Sequence, residues 1–527
     1  MLICAATVAA DDDVRCRRVA KMALSGTTIT SAEEVAAGGL KLPPSPLLKV
    51  DPADAPAFCR VKGVTRPSAD SQIGFEVWLP LADWDGRFVQ AGNGGLAGSI
   101  NHTVMLGHLK NRHAVAATDD GHMGAGTDGT WALGHPEKVK DFGYRAVHET
   151  SVLAKQIIAE FYGSPAKYSY FNGCSEGGRE ALMEAQRYPH DFNGILAGAP
   201  PPYWTRLMAG FAWNAQALND SDSFLNEPKR QTVEQAALKA CSSPGDAGFI
   251  GDPLRCKFDP SELLCKDKEM ESCLSKPQLD ALKKIYSGAK NPRTHEQLSP
   301  GYEPGAEAEP GVPGVSFASY VFGAGPGASL DAMFSTSFYG NFVFQNPEWK
   351  FSAFRFDEDP ARVEKEVGSI LNADNPNLRE FRDAGGKLIH YHGWNDGSPP
   401  PRQSLMYYED VVKAMGGMAQ TQKFYRLYLA PGMMHCGGGP GPNAFGNMLD
   451  PAPASDAEHN IFVALQEWTE KEKAPAKVVA TKYKSDNPAA GIALTRPLCA
   501  YPQVARWNGK GEASETRNWL CAAPPSK

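Results

Sequence analysis

The pentapeptide Gly173-Cys174-Ser175-Glu176-Gly177 fits the pattern G-x-S-x-G. A serine hydroxyl becomes a useful nucleophile only when a neighbouring base takes its proton. In this pattern the serine sits on a strained strand-to-helix turn, and small flanking residues let the chain fold that tightly. The hydroxyl then projects above the sheet, and the next backbone N–H points at the oxyanion formed on attack. Two later segments supply the partners. Asp396 lies in Gly393-Trp394-Asn395-Asp396-Gly397, and His435 ends Pro431-Gly432-Met433-Met434-His435. Asp396 would orient the imidazole and stabilise its cation, while His435 would shuttle the proton. The chain order serine, acid, histidine is the one this turn requires. An oxyanion site needs a second backbone donor from an early loop. Gly92-Asn93-Gly94-Gly95 is suited to that, with Gly95 N–H and Glu176 N–H as the two donors.

Other histidines compete for the role of base. His122 follows a strand but precedes the serine, which is the wrong order. His392 falls inside a strand and reads as packed, and His148 falls in a helix and reads as structural. Cys174 immediately precedes the nucleophile and Cys436 immediately follows the base. If the triad forms, these two sulfurs are carried close together, and a disulfide there would staple the two loops.

These residues need elements to hold them. Short apolar segments at Ile73 to Leu79, Arg87 to Ala91, Ala114 to Thr118, Tyr168 to Phe171 and Gly194 to Ala197 read as strands. A helical pattern runs from about Tyr144 to Phe161 and another from Arg179 to Tyr188. Strand–helix alternation predicts a mostly parallel sheet with helices on both faces. After Pro200-Pro201-Pro202 the alternation fades into Pro/Gly turns, cysteines and aromatic clusters, and the stretch from Ser299 to Gly327 reads as loop. Strands return at Lys387 to His392 and Phe424 to Leu429. The pattern predicts an α/β domain, residues 11–202 and 371–527, interrupted by an insertion at 203–370.

Composition narrows the classes. The chain has 527 residues, 42% of them hydrophobic and 21% charged, with a formal net charge of -7. No long Lys/Arg run could neutralise phosphates, which argues against a nucleic-acid partner. No apolar run approaches the ~18 residues of a membrane span. Residues 1–10 read as a partial signal segment, its end Val8-Ala9-Ala10 resembling a cleavage site, although no basic residues precede it. Eleven cysteines, without paired CxxC spacing, point to disulfides rather than metal. Removing Cys4 with the leader leaves ten, and the close pairs Cys265/Cys273 and Cys499/Cys521 suit an oxidising compartment, secreted or periplasmic.

The chain resembles the tannase and feruloyl esterase family, which includes the mono(2-hydroxyethyl) terephthalate hydrolases. The resemblance rests on residues 173–180, on His392-Gly393-Trp394-Asn395-Asp396, on residues 431–440, and on Thr495-Arg496-Pro497-Leu498-Cys499 through Cys521. It implies an α/β-hydrolase core with a large lid, acting on esters of aromatic acids. It also implies the pairs Cys16–Cys59, Cys174–Cys436, Cys241–Cys256, Cys265–Cys273 and Cys499–Cys521.

Two departures bear on the expected ligand. Family members hold calcium in a lid loop rich in aspartate, but the loop from Cys241 to Cys256 keeps only Asp246 and Asp252. Calcium takes six to eight oxygens, so a weak site or none is expected, and no cofactor is required. Terephthalate-monoester hydrolases place an arginine in the lid, and Phe334 to Phe344 contains none. The expectation is a serine esterase for feruloyl- or galloyl-type esters, with Phe338, Tyr339, Phe342 or Phe344 facing the acyl ring. The alternatives are a terephthalate-monoester hydrolase, or a non-catalytic binding protein on a hydrolase scaffold. Hydrolysis and acyl transfer to another alcohol share this machinery.

Overall fold

A computed structural model describes residues 14–42, 50–266, 268, 270–309 and 314–524. The expected leader, residues 1–10, and Cys4 lie outside the described residues. The chain divides into two compact units, Met1–Ala197 with Leu378–Gly386, and Gly198–Asn377 with Lys387–Lys527.

The first unit is built on strands β1 (Thr27–Val35), β2 (Phe58–Thr65), β3 (Ile73–Pro80), β4 (Arg87–Ala91), β5 (Ala114–Thr118), β6 (Tyr168–Cys174) and β7 (Gly194–Gly198). Their order in the sheet is β1-β2-β3-β5-β4-β6-β7. β1, β2, β3 and β5 pair antiparallel. β4 pairs parallel with β5 and with β6. All residues of β5 and β7 are buried, as expected for strands covered on both faces. Helices α1 (His102–Lys110), α2 (Ala146–Tyr162) and α3 (Glu176–Arg187) connect them. β6 runs three residues past the expected Phe171, so the strand delivers the chain directly to Ser175. Cys16 and Cys59 form a disulfide that ties the N-terminal segment to β2.

In the second unit, helices and turns replace strands among the described residues from Ala199 to Asn377. They include α4 (Trp204–Ala217) and α5 (Leu330–Phe338). The wholly buried β8 (Lys387–Gly393) then pairs in parallel with β9 (Tyr425–Ala430). α6 (Pro401–Ala414) joins them and α7 (Ile461–Lys471) follows. β10 (Lys477–Tyr483) and β11 (Ile492–Cys499) pair antiparallel, as do β12 (Val504–Trp507) and β13 (Trp519–Ala522). Disulfides join Cys241–Cys256, Cys265–Cys273 and Cys499–Cys521. Cys174 and Cys436 are also disulfide-bonded. Among the described residues, no helix is long and apolar enough to cross a membrane.

Candidate active site

The first unit carries Ser175, the expected nucleophile. Ser175 stands between β6 and α3 with φ 66° and ψ -124°, a conformation that costs a non-glycine residue on the order of 1–3 kcal/mol. The surroundings hold it there. A Cβ added to Gly173 would lie 2.3 Å from the Gly177 carbonyl oxygen, and one on Gly177 would lie 2.9 Å from that of Asn93. The two glycines flanking the pentapeptide are therefore required by space. Ser175 is half-exposed while its neighbours on both sides are buried.

The glycine loop is fastened to the same turn. Gly177 N–H donates to Asn93 O at 2.9 Å, and Gly92 N–H to Asn172 O at 3.0 Å. Asn93 N–H donates to the Glu180 carboxylate at 3.0 Å. Leu96 N–H donates to Gly126 O at 2.7 Å, and the Leu96 carbonyl accepts from Trp131 at 3.2 Å and from His122 Nε2 at 3.0 Å. His122 stacks on Trp131 with ring centroids 3.7 Å apart. Burial pushes it down to about 4, so it is a neutral brace for this loop. His148 is bound to Asp191 at 2.6 Å and stacked on Tyr188.

Glu176 begins α3, where an N–H has no intrahelical acceptor, and no described residue accepts from Gly95 N–H. Gly95 itself has φ 63°. Beneath them lies a charged cluster that the helix pattern alone would have placed in solvent. The Glu176 carboxylate is fully buried against Arg179, whose Nε lies 2.9 Å from both oxygens. Arg179 also donates to the Gly143 and Phe142 carbonyls at 2.7 and 2.9 Å, which ties the first turn of α3 to the segment before α2. Burial and the charge of Glu176 push Glu180 up to about 7. Burial and the charge of Glu180 raise Asp120 well above the usual carboxylate range.

The second unit carries Asp396 and His435, the expected acid and base. His435 Nδ1 lies 3.1 and 3.0 Å from the two oxygens of Asp396, and both residues are buried. Trp394 N–H donates to Ala430 O and Asn395 N–H to Met433 O, each at 2.9 Å, so the loops after β8 and β9 are sewn together. Ser398 N–H donates to Asp396 Oδ1 at 2.6 Å. Burial works to raise the Asp396 carboxyl, but the charge of His435 and hydrogen bonds from His392 and His435 outweigh it and hold it below its ordinary value. His435 N–H donates to Val315 O at 3.2 Å, and Tyr320 meets its ring edge-on at 5.4 Å. His392, read from the strand as mere packing, sits with Nε2 3.1 Å from Asp396 Oδ2. Its position two residues after another strand histidine was the only sequence signal.

The lid aromatics lie against one another. Phe338 contacts Trp204, Tyr339 and Phe342, while Tyr339 stacks on Phe354. Phe344 stacks on Trp349, and the Arg362 guanidinium lies over the Phe344 ring. Asp246 accepts from Ser243 N–H at 2.8 Å and Gly251 N–H at 3.0 Å, and burial raises both it and Asp252. Among the described residues, no group of three or more His, Cys, Asp or Glu side chains could hold a metal ion.

Comparison with known proteins bears on this geometry. The family model described as tannase and feruloyl esterase matches residues 59–522. An uncharacterized esterase of Xanthomonas campestris pv. campestris is 39% identical over 97% of this chain and 91% of its own. A probable feruloyl esterase B of Aspergillus clavatus is 30% identical, over 88% of this chain and 86% of its own. The crystal structure of feruloyl esterase B from Aspergillus oryzae matches with a TM-score of 0.87 at 28% identity, covering 97% of this chain and 100% of that one.

Proposed function

The chain belongs to the tannase and feruloyl esterase family and is a carboxylic ester hydrolase with an α/β-hydrolase fold, and from that premise we propose that Ser175, His435 and Asp396 cleave the ester through a serine-bound acyl intermediate. Ser175 Oγ attacks the acyl carbon and gives its proton to His435 Nε2. That nitrogen is the one available, because Nδ1 is engaged by Asp396. The Gly95 and Glu176 amides take the oxyanion. The proton passes to the leaving alcohol as the ester bond breaks. Water then gives a proton to His435 and attacks the acyl-enzyme, and Ser175 recovers its proton as the carboxylic acid departs. The observation that carries this reading is the conformation of Ser175, strained between β6 and α3 with two spatially required glycines beside it.

The bonded state of Cys174 and Cys436 supports a bridge between them, which would join the nucleophile to the base loop. The formed disulfides also support a secreted or periplasmic location. The relatives' names support an aromatic acyl group, feruloyl or galloyl in type. The missing arginine in Phe334–Phe344 disfavours a terephthalate monoester.

The test has two parts. Ser175→Ala is expected to lower kcat by several orders of magnitude with little change in stability, and mass spectrometry of the parent quenched during turnover should find an acyl adduct on Ser175. Near-normal turnover in the variant would refute the assignment. Hydrolysis of methyl ferulate, methyl gallate and a terephthalate monoester, side by side, tests the acyl group, and preference for the last would overturn the feruloyl or galloyl reading.

A further inference from the structure

His390 and His392 lie two residues apart on β8 and so share one face of the strand. Both are wholly buried, as are Ser404 in the first turn of α6 and Tyr425 at the start of β9. Their polar atoms form an unbroken series. Tyr425 OH is 2.8 Å from His390 Nδ1, and His390 Nε2 is 2.7 Å from Ser404 Oγ. Ser404 Oγ is 2.6 Å from His392 Nδ1, and His392 Nε2 is 3.1 Å from Asp396 Oδ2.

The acceptors beside His392 fix one hydrogen, and the tautomer sets the direction of the rest. His392 Nε2 faces the Asp396 carboxylate and, at 3.2 Å, the Pro399 carbonyl. Both can only accept, so Nε2 carries a hydrogen. In the Nε2–H tautomer, Nδ1 of His392 accepts the Ser404 hydroxyl proton. Ser404 Oγ, having donated its one hydrogen, accepts from His390 Nε2–H, and bare His390 Nδ1 accepts from Tyr425 OH. Burial and the neighbouring His392 hold His390 well below its ordinary value, and burial pushes Tyr425 up, so both stay neutral. Every donor in the series has an acceptor, His392 Nε2–H having both Asp396 and the Pro399 carbonyl, and each bond polarises the next.

We propose that this wire, ending in His392, is a positioning device for catalysis: it gives Asp396 a second imidazole donor, fixing the carboxylate's orientation and drawing off part of the charge that His435 would otherwise feel. The proposal rests on Asp396 and His435 being the catalytic acid and base. His392 touches neither substrate nor the reacting atoms. Its effect reaches them through Asp396. The other titratable groups around the pair are Tyr320, edge-on to His435, and Tyr302, whose hydroxyl donates to Gly397 O at 2.9 Å. Burial and nearby carboxylates raise both tyrosines, and Asp331 beside them is raised by burial. The two tyrosines are raised away from the neutral range, and an Asp331→Asn variant separates any contribution of Asp331 from that of His435.

The experiment compares His392→Leu, His392→Gln, Ser404→Ala and Asp396→Ala in the full chain, using kcat, KM and the pH profile of kcat/KM on an aryl ester. His392→Leu should lower kcat about ten- to a hundredfold at unchanged KM, the scale of one charge-assisted hydrogen bond. It should also move the acidic limb to higher pH, because an unshared carboxylate favours the His435 imidazolium. His392→Gln places an amide N–H near the lost Nε2–H and should recover most of the rate. Ser404→Ala leaves Asp396 untouched but cuts the wire, and should lower kcat by a smaller factor with a shift of the same sign. Nitrogen NMR of histidine-labelled protein should find the Nε2–H tautomer at both His390 and His392. The proposal is overturned by an Nδ1–H tautomer at His392. It is equally overturned if kcat and the acidic limb stay unchanged in His392→Leu, or in Ser404→Ala should the former not fold, while Asp396→Ala loses activity. Full activity in Asp396→Ala would instead overturn the triad reading beneath it.

Discussion

Gly92→Ala places one methyl group between the oxyanion loop and the nucleophile turn. The new Cβ would lie 2.6 Å from Gly177 Cα, 2.8 Å from Glu180 Oε2 and 3.1 Å from the Phe171 ring. Carbon atoms rest about 3.5–4.0 Å apart, so the two backbones must separate by about 1 Å. α3 cannot yield easily, because Arg179 ties its first turn to the Phe142 and Gly143 carbonyls. The loop 92–95 therefore moves and carries the Gly95 N–H with it. Misplacing a catalytic group by ~1 Å costs on the order of a hundredfold, within the range for losing one oxyanion donor. Overpacking should lower stability by about 1–3 kcal/mol. The assay is steady-state hydrolysis of methyl ferulate and of a simple aryl acetate, with a thermal melt. The expected result is a hundredfold fall in kcat at nearly constant KM for both esters, because the oxyanion exists only beyond the ground state. Gly107→Ala is the control. It lies in α1 with nothing within 4 Å of the added Cβ, and should stabilise the helix by about 0.5–1 kcal/mol without changing the rate. A Gly92→Ala enzyme that melts lower yet turns over within threefold of the parent would refute the reasoning.

Three further outcomes are expected. Glu76, buried on β3, accepts two bonds from Arg60 and one from Trp78. Burial opposes its charge, but hydrogen bonds from His102 and Arg60 outweigh this and lower its carboxyl from 4.5 to about 2. A lowered folded pKa adds stability above the unfolded value and loses it as pH falls through the folded one. Glu76→Gln should therefore cost on the order of 3 kcal/mol near neutrality, with the gap to the parent closing between about pH 5 and pH 2 in melts. A constant gap would show that the charge is not what matters. Chelation should leave melting temperature and activity unchanged, since Asp246 already serves two backbone amides; a drop restored by calcium would reveal a site completed by carbonyls and water. Replacing both Cys174 and Cys436 by alanine should lower kcat more than it raises KM, and remove up to about 5 kcal/mol for a closed loop of about 260 residues. Peptide mapping that finds each paired elsewhere would refute the bridge.

The sequence by itself determined the parts whose physics is local. A serine at positive φ needs glycines beside it, and the periodicity around residue 175 changes from strand to helix within three residues, so the nucleophile turn was legible. Asp396 and His435 were legible because each follows a short buried run, in the order the fold demands. Lys387 to His392 could be read as a strand for the same reason, the residues after Lys387 being apolar, aromatic or histidine. What only the tertiary structure decided is which groups face each other across the chain. Glu176, Arg179, Glu180 and Glu184 are all buried, which their charge alone does not foretell, and Arg179 finds carbonyls more than thirty residues away. β1 and β2 went unread, since β1 has no buried residue to mark it and is held by its pairing with β2, which in turn pairs with β3. His392 is the sharpest case. Strand periodicity buries it, but its meaning depends on a chain reversal that returns Asp396 to its side and on a helix that returns Ser404. Asp396 is only four residues away and Ser404 twelve, but the turn after β8 and the placing of α6 decide that they face His392, and residue spacing carries no record of that.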